Sequence, residues 1–133
     1  MSRQLTVLLV AADGLTRQVT ANGLAMYGYE TLLARNGQEA VEQLGAHKRV
    51  DILVVDADIL GETSGLAVAK LARLQFPRID VIYTSRAPYR IPDALKVKGA
   101  PCIRNPFQPQ QIVGMISELR HRVPSDSGER QVA

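Results

Sequence analysis

Apolar residues in this chain fall into short continuous runs, separated by longer stretches in which they recur every three or four positions. Leu5–Val10 is the first run and shows little alternation, the pattern of a parallel strand covered on both faces. Leu15, Val19 and Met26 then sit at helical spacing with the small Gly23 among them, and Gly28 stands where a helix would stop; the spacing predicts a helix over 15–27. Tyr29–Ala34 reads as the second strand. Asn36 is placed to cap a second helix, with Glu39 at its third position and Ala40, Val41 and Leu44 on its inner face.

The alternation continues. Ile52–Val55 is an apolar strand ending in Asp56, and a helix from about Gly65 to Gln75 carries Val68, Leu71, Ala72 and Leu74 before Phe76 and Pro77 stop it. Val81–Thr84 reads as the fourth strand. Between Ala87 and Lys98, Pro88 and Pro92 remove backbone donors and restrict their neighbours, so the helix expected there is short and begins after Pro92. Cys102–Arg104 is a brief fifth strand, and Pro109 suits the first turn of a helix that buries Ile112, Val113, Ile116 and Leu119. The ending PSDSGERQVA reads as solvated, so the chain is expected to divide into a domain over 1–122 and a flexible tail over 123–133, with no effector domain after it.

Five strands alternating with about five helices predict an α/β domain built on a doubly wound five-stranded parallel sheet, because parallel strands need helical crossovers. In such folds functional residues gather beyond the carboxyl ends of the strands. Those ends are Ala11-Ala12-Asp13, Asp56-Ala57-Asp58, Thr84-Ser85-Arg86 and Arg104-Asn105.

Composition narrows the choices. A chain of 133 residues, 46% hydrophobic and 22% charged, is ordinary for one globular domain and unlike a disordered or fibrous polymer. No apolar run approaches the roughly 18 residues that span a bilayer, and Met1–Val10 lacks the features of a signal peptide, so a cytoplasmic protein without a membrane partner is expected. Cys102 is the only cysteine, which excludes an internal disulfide and argues against structural zinc. The net charge of +3 is mild, and six Phe and Tyr residues with no Trp supply a stacking platform poorly, so nucleic acid is not an expected partner. AADGLT lacks the glycine spacing of a phosphate cradle, which leaves an enzyme on this fold with little support.

The order of these strand ends resembles the receiver domain of bacterial two-component response regulators, from about Leu5 to Arg122. Asp56, closing DILVVD, lies where that family has its phospho-accepting aspartate; Ser85, closing VIYTS, lies at its switch hydroxyl; and GAPCIRNPF over 99–107 is similar to its GA…KPF run. The resemblance implies a flavodoxin-like receiver fold with strand order 2-1-3-4-5, a histidine kinase or phosphotransfer protein as phosphoryl donor, a downstream protein target and no enzymatic turnover of its own. It also points to the 86–120 face, rich in Arg86, Arg90, Lys96, Lys98 and Arg104, as a surface for an acidic partner or a homodimer.

Three departures bear on the chemistry. Ala11 and Ala12 stand where the family carries the acidic pair that helps hold Mg²⁺, Asn105 replaces the lysine before Pro-Phe, and Cys102 takes the aromatic switch position on strand five. Phosphoryl transfer to a carboxylate relies on neutralising charge. The candidate ligands of a weak Mg²⁺ site are Asp56, Asp13 and Asp58, and Arg86 is the candidate for partly replacing the lost lysine by reaching Asp56. Asp13 is read first as a helix cap. Two functions follow: a single-domain response regulator that accepts phosphoryl on Asp56 and signals by protein contact, which leads, or a pseudo-receiver that docks without phosphorylation.

Overall fold

The computed structural model of the chain describes residues 3–121, so the tail expected over 123–133 lies outside the described residues. The elements run β1 (Thr6–Val10), α1 (Gly14–Met26), β2 (Glu30–Ala34), α2 (Gly37–Ala46), β3 (Ile52–Asp56), α3 (Gly65–Gln75), β4 (Asp80–Ser85), β5 (Cys102–Arg104) and α4 (Pro109–Arg120). The strands form one parallel sheet in the order β2-β1-β3-β4-β5, the doubly wound arrangement expected from the pattern.

Alternation along the buried strands divides the core in two. Leu8, Val10, Leu53, Val55, Val81 and Tyr83 point to one face and meet Ala40, Leu44, Val68 and Ala72 of α2 and α3. Val7, Leu9, Ile52, Val54 and Ile82 point to the other, where Leu24 of α1 and Ile112 and Ile116 of α4 cover them. Both faces of β1 and β3 are therefore covered, which is why Val7–Val10 and Ile52–Val55 are apolar without a break. Each such Val, Leu or Ile contributes about 1.5–3 kcal/mol when fully buried.

Side chains close the helix N-termini, at Asp13 and Asn36 as the sequence suggests and at Ser64 and Gln108 in addition. Asp13, Asn36 and Ser64 accept from the backbone amides of Thr16, Glu39 and Ala67, and Gln108 and Gln111 form a reciprocal box with Pro109 at the first turn of α4. Gly28 ends the first crossover with φ 89°, a conformation that glycine adopts without strain.

Two expectations need correction. The helical stripes are partly misphased: Leu15, Val19 and Met26 of α1, Val41 of α2, and Leu71 and Leu74 of α3 are exposed, while the small Thr20, Ala21, Ala69 and Ala72 pack on the sheet. Small residues let a helix lie close to a flat sheet, so the contact stripe is narrower than the apolar pattern.

The second correction concerns 87–98, which forms no α-helix. It folds as two single 3₁₀ turns, Pro88–Arg90 and Asp93–Leu95, leaving four α-helices among the described residues instead of about five. Pro88 and Pro92 limit each turn to three residues, and tertiary contacts hold the remainder. The Val97 amide donates to the Tyr83 hydroxyl at 2.9 Å, and the Arg73 guanidinium donates to the Lys98 carbonyl at 3.0 Å.

Candidate functional site at the carboxyl ends of the strands

A cleft of about 710 Å³ opens over the carboxyl ends of the central strands, with Ala11, Ala12, Asp13, Asp56, Arg86 and Asn105 in its walls. Asp56 is the last residue of β3 and is half-buried; the Ala57 amide, donating to the Thr84 carbonyl at 2.8 Å, locks this strand end to β4. The Asp56 carboxylate accepts from the Asp58 amide at 2.9 Å through Oδ1. Burial pushes the Asp56 carboxyl above its ordinary range, the Asp58 amide pulls it down, the Asp58 charge raises it further and Arg86 lowers it.

Asp58 is engaged from the opposite loop. Its Oδ1 accepts from the Ser85 hydroxyl at 2.8 Å and its Oδ2 from the Arg86 amide at 2.9 Å. Ser85 is fully buried, and its oxygen also accepts from the Ala87 amide at 3.0 Å. Asp56, Asp58, Ser85 and Arg86 thus form one continuous network that ties the loop after β3 to the loop after β4.

The other predicted residues lie around this network in different roles. Asp13 takes the capping role: its Oδ2 accepts from both the amide and the hydroxyl of Thr16, at 2.8 and 2.7 Å. Those hydrogen bonds, the hydroxyl's first, hold its carboxyl below the ordinary range, with Arg17 and Arg86 adding smaller attractions. The Arg86 side chain is exposed; the ion pairs among the described residues are Arg3–Asp51, Arg35–Glu39, Lys96–Asp93 and Arg120–Asp80, and Arg86 enters none of them. It acts on Asp56 through its charge from the cleft wall. Asn105 precedes Pro106 across a cis peptide bond, and its amide donates to the Ser85 carbonyl at 2.8 Å.

Arg17 was not legible as a site residue. From the first turns of α1 its guanidinium folds back to the end of β1, donating to the Ala11 carbonyl at 2.8 Å and to the Ala12 carbonyl at 3.4 Å. Its position four residues after the Asp13 cap was the available signal, since a side chain there can return to the preceding strand end.

This donor set is a poor one for Mg²⁺. The ion takes near-octahedral oxygen ligands and is commonly anchored by one or two carboxylates. Ala11 and Ala12 offer no side-chain oxygen, the Ala11 carbonyl accepts from a guanidinium, Asp13 is turned to its cap through Oδ2 and both oxygens of Asp58 are taken by Ser85 and Arg86, so among the described residues Asp56 is the one carboxylate of the cleft that hydrogen bonds do not tie to another element. Among the described residues no three His, Cys, Asp or Glu side chains converge as a metal-binding group.

Comparison with known proteins agrees with the architecture. The sequence model of the response regulator receiver domain matches residues 7–117. The phosphate regulon transcriptional regulatory protein PhoB of Pseudomonas aeruginosa is 29% identical over 128 residues, covering 92% of this chain and 55% of that protein; the chain spans about half the length of this curated relative. A response regulator from Thermotoga maritima superimposes with a TM-score of 0.71 at 27% identity, over 88% of this chain and 98% of that one. A CheY-like receiver domain from Methanospirillum hungatei gives a TM-score of 0.76 at 19% identity, over 88% and 94%, and so speaks for the fold alone. With the strand order, the carboxylate at the end of β3 and the family match running from β1 into α4, the chain belongs to the response regulator receiver domain family.

Proposed function

We propose that this receiver domain signals by docking on protein partners, a histidine kinase or phosphotransfer protein on one side and a downstream target on the other, without Mg²⁺-assisted phosphorylation of Asp56. The observation that carries this reading is the donor set: the carboxyl end of β1 presents Ala11, Ala12 and the Arg17 guanidinium, and Asp13 is turned to its cap. Among the described residues no side-chain cation stands within ion-pair distance of the Asp56 carboxylate itself, and Arg86 faces it only from the cleft wall. For docking, Leu15 and Val19 of α1 stand exposed beside a groove shared with Pro106 and Phe107, next to the cleft. Arg86, Arg90, Lys98 and Arg104 add exposed positive charge suited to an acidic partner surface. A histidine kinase partner implies a cytoplasmic setting, and no helix among the described residues is long and apolar enough to cross a membrane.

Phosphoryl acceptance is the second reading, and one observation favours it. The Asp56 carboxylate lines the open cleft, and hydrogen bonding engages only its Oδ1. In that reaction an Asp56 oxygen would form the new bond to phosphorus as the phosphorus–nitrogen bond of a phosphohistidine breaks, the imidazole keeping the electron pair. Intact-protein mass spectrometry of wild type and Asp56→Asn after incubation with acetyl phosphate, with and without Mg²⁺, separates the two. Docking without phosphorylation predicts no adduct on either protein; an adduct on the wild type alone establishes acceptance at Asp56.

A further inference from the structure

We infer that the Asp58 carboxylate is a built-in anion that sets the β4 loop, occupying the donors that a phosphoryl group on Asp56 would need. The inference deepens the docking reading and rests on it for its signalling meaning. A phosphorylated carboxylate carries three strong acceptor oxygens and close to two negative charges. The donors at the end of β4 and just after it that meet the Asp56 turn are the Ser85 hydroxyl and the Arg86 amide, both on Asp58, whose own amide is bound to Asp56. Ser85 has one proton to give and gives it to Asp58, and the Arg86 amide is likewise taken. These hydrogen bonds to an ionised carboxylate are of the strong, charge-assisted kind, and one donor is fully buried, which favours them over bonds to solvent.

The chain of contacts extends at both ends. The Asp58 amide is anchored on Asp56, so the carboxylate is presented from a braced turn, and the Ser85 oxygen fixed by Asp58 accepts the Ala87 amide at the start of the 87–98 segment. Asp58 is therefore a positioning residue acting through Ser85. A group added to Asp56 would have to displace one anion and bear the repulsion of the same anion.

Amide hydrogen exchange of the whole chain tests this in wild type, Asp58→Ala and Asp58→Asn. Asp58→Ala is expected to speed exchange at Arg86 and Ala87 about tenfold or more, the scale of a lost charge-assisted hydrogen bond, while the amides of β1 and α4 keep their rates. Asp58→Asn retains one carbonyl acceptor for two donors and should fall between. Unchanged rates at Arg86 and Ala87 in Asp58→Ala overturn the inference, as does an increase spread evenly over the domain. Labelling of the wild type by acetyl phosphate would sink the docking reading by itself, and the amide result would still decide whether Asp58 sets the loop.

Discussion

Tyr83 of β4 and Cys102 of β5 are register partners, and the large aromatic side chain of the pair is the fully buried one on β4. Cys102 on β5 is small and only partly buried, so the bulk at this register pair is carried by β4. There the ring is packed in the core, and its hydroxyl accepts the Val97 amide, fixing the segment that in this protein is not helical.

Tyr83→Phe keeps the ring and removes that acceptor. The Val97 amide is left unpaired, and the expected cost is about 1–2 kcal/mol, with faster exchange at Val97. Chemical denaturation together with amide exchange checks it; an unchanged midpoint and an unchanged Val97 rate would show that solvent replaces the hydroxyl without loss.

Asp56→Asn is expected to raise stability at neutral pH. Burial raises the folded carboxyl above its unfolded value, so the folded state binds its proton more readily and stability falls as pH rises through that window. Asparagine removes the buried charge and keeps an acceptor for the Asp58 amide, so Tm should rise by about 2–5 °C at pH 7 and the gain should shrink in acid. Thermal melts of both proteins from pH 4 to pH 8 would reveal the crossover, and a constant difference across that range would contradict the buried-charge explanation.

Asp51 has the opposite sign. Burial alone would raise its carboxyl, but hydrogen bonds from the Arg3 guanidinium and the Thr6 amide outweigh it and leave the folded value depressed. Its contribution is present above the unfolded value of about 3.9 and is lost as pH falls through the folded one. Asp51→Asn should cost about 1–3 kcal/mol at pH 7 and flatten the acid limb of the stability profile, read as denaturation midpoints against pH.

Gly65 begins α3 where its Cα lies against the Asp56 carbonyl and Ala57; a Cβ would run into both. Gly65→Ala should cost about 1–3 kcal/mol by overpacking, and the shift should reach the Asp56 turn because the obstacle is backbone. Amide chemical shifts of Ala57 and Asp58 that match wild type would mean the helix moves and the site does not.

Local chemistry was readable before any fold was known. Continuous apolar runs predict strands buried on both faces, Asn36 with Glu39 predicts a capped helix, and Asp56 at the end of an apolar strand predicts a carboxylate at the site, because each signal spans only a few residues. The phase of the helices was not readable: Leu15 and Leu74 fit an apolar stripe as well as Ala21 and Ala72 do, and only the face that each helix turns to the sheet decides which are covered. Nor was the role of Asp58, whose partners Ser85 and Arg86 lie 27 and 28 residues away. The β3–β4 register pairs Asp56 with Thr84 and thereby brings the two loops together, and that register is a property of the assembled sheet. The sequence by itself determined the elements and the inventory of the site; the tertiary structure decided which groups meet, since hydrogen bonds act only within a few ångströms that chain spacing cannot specify.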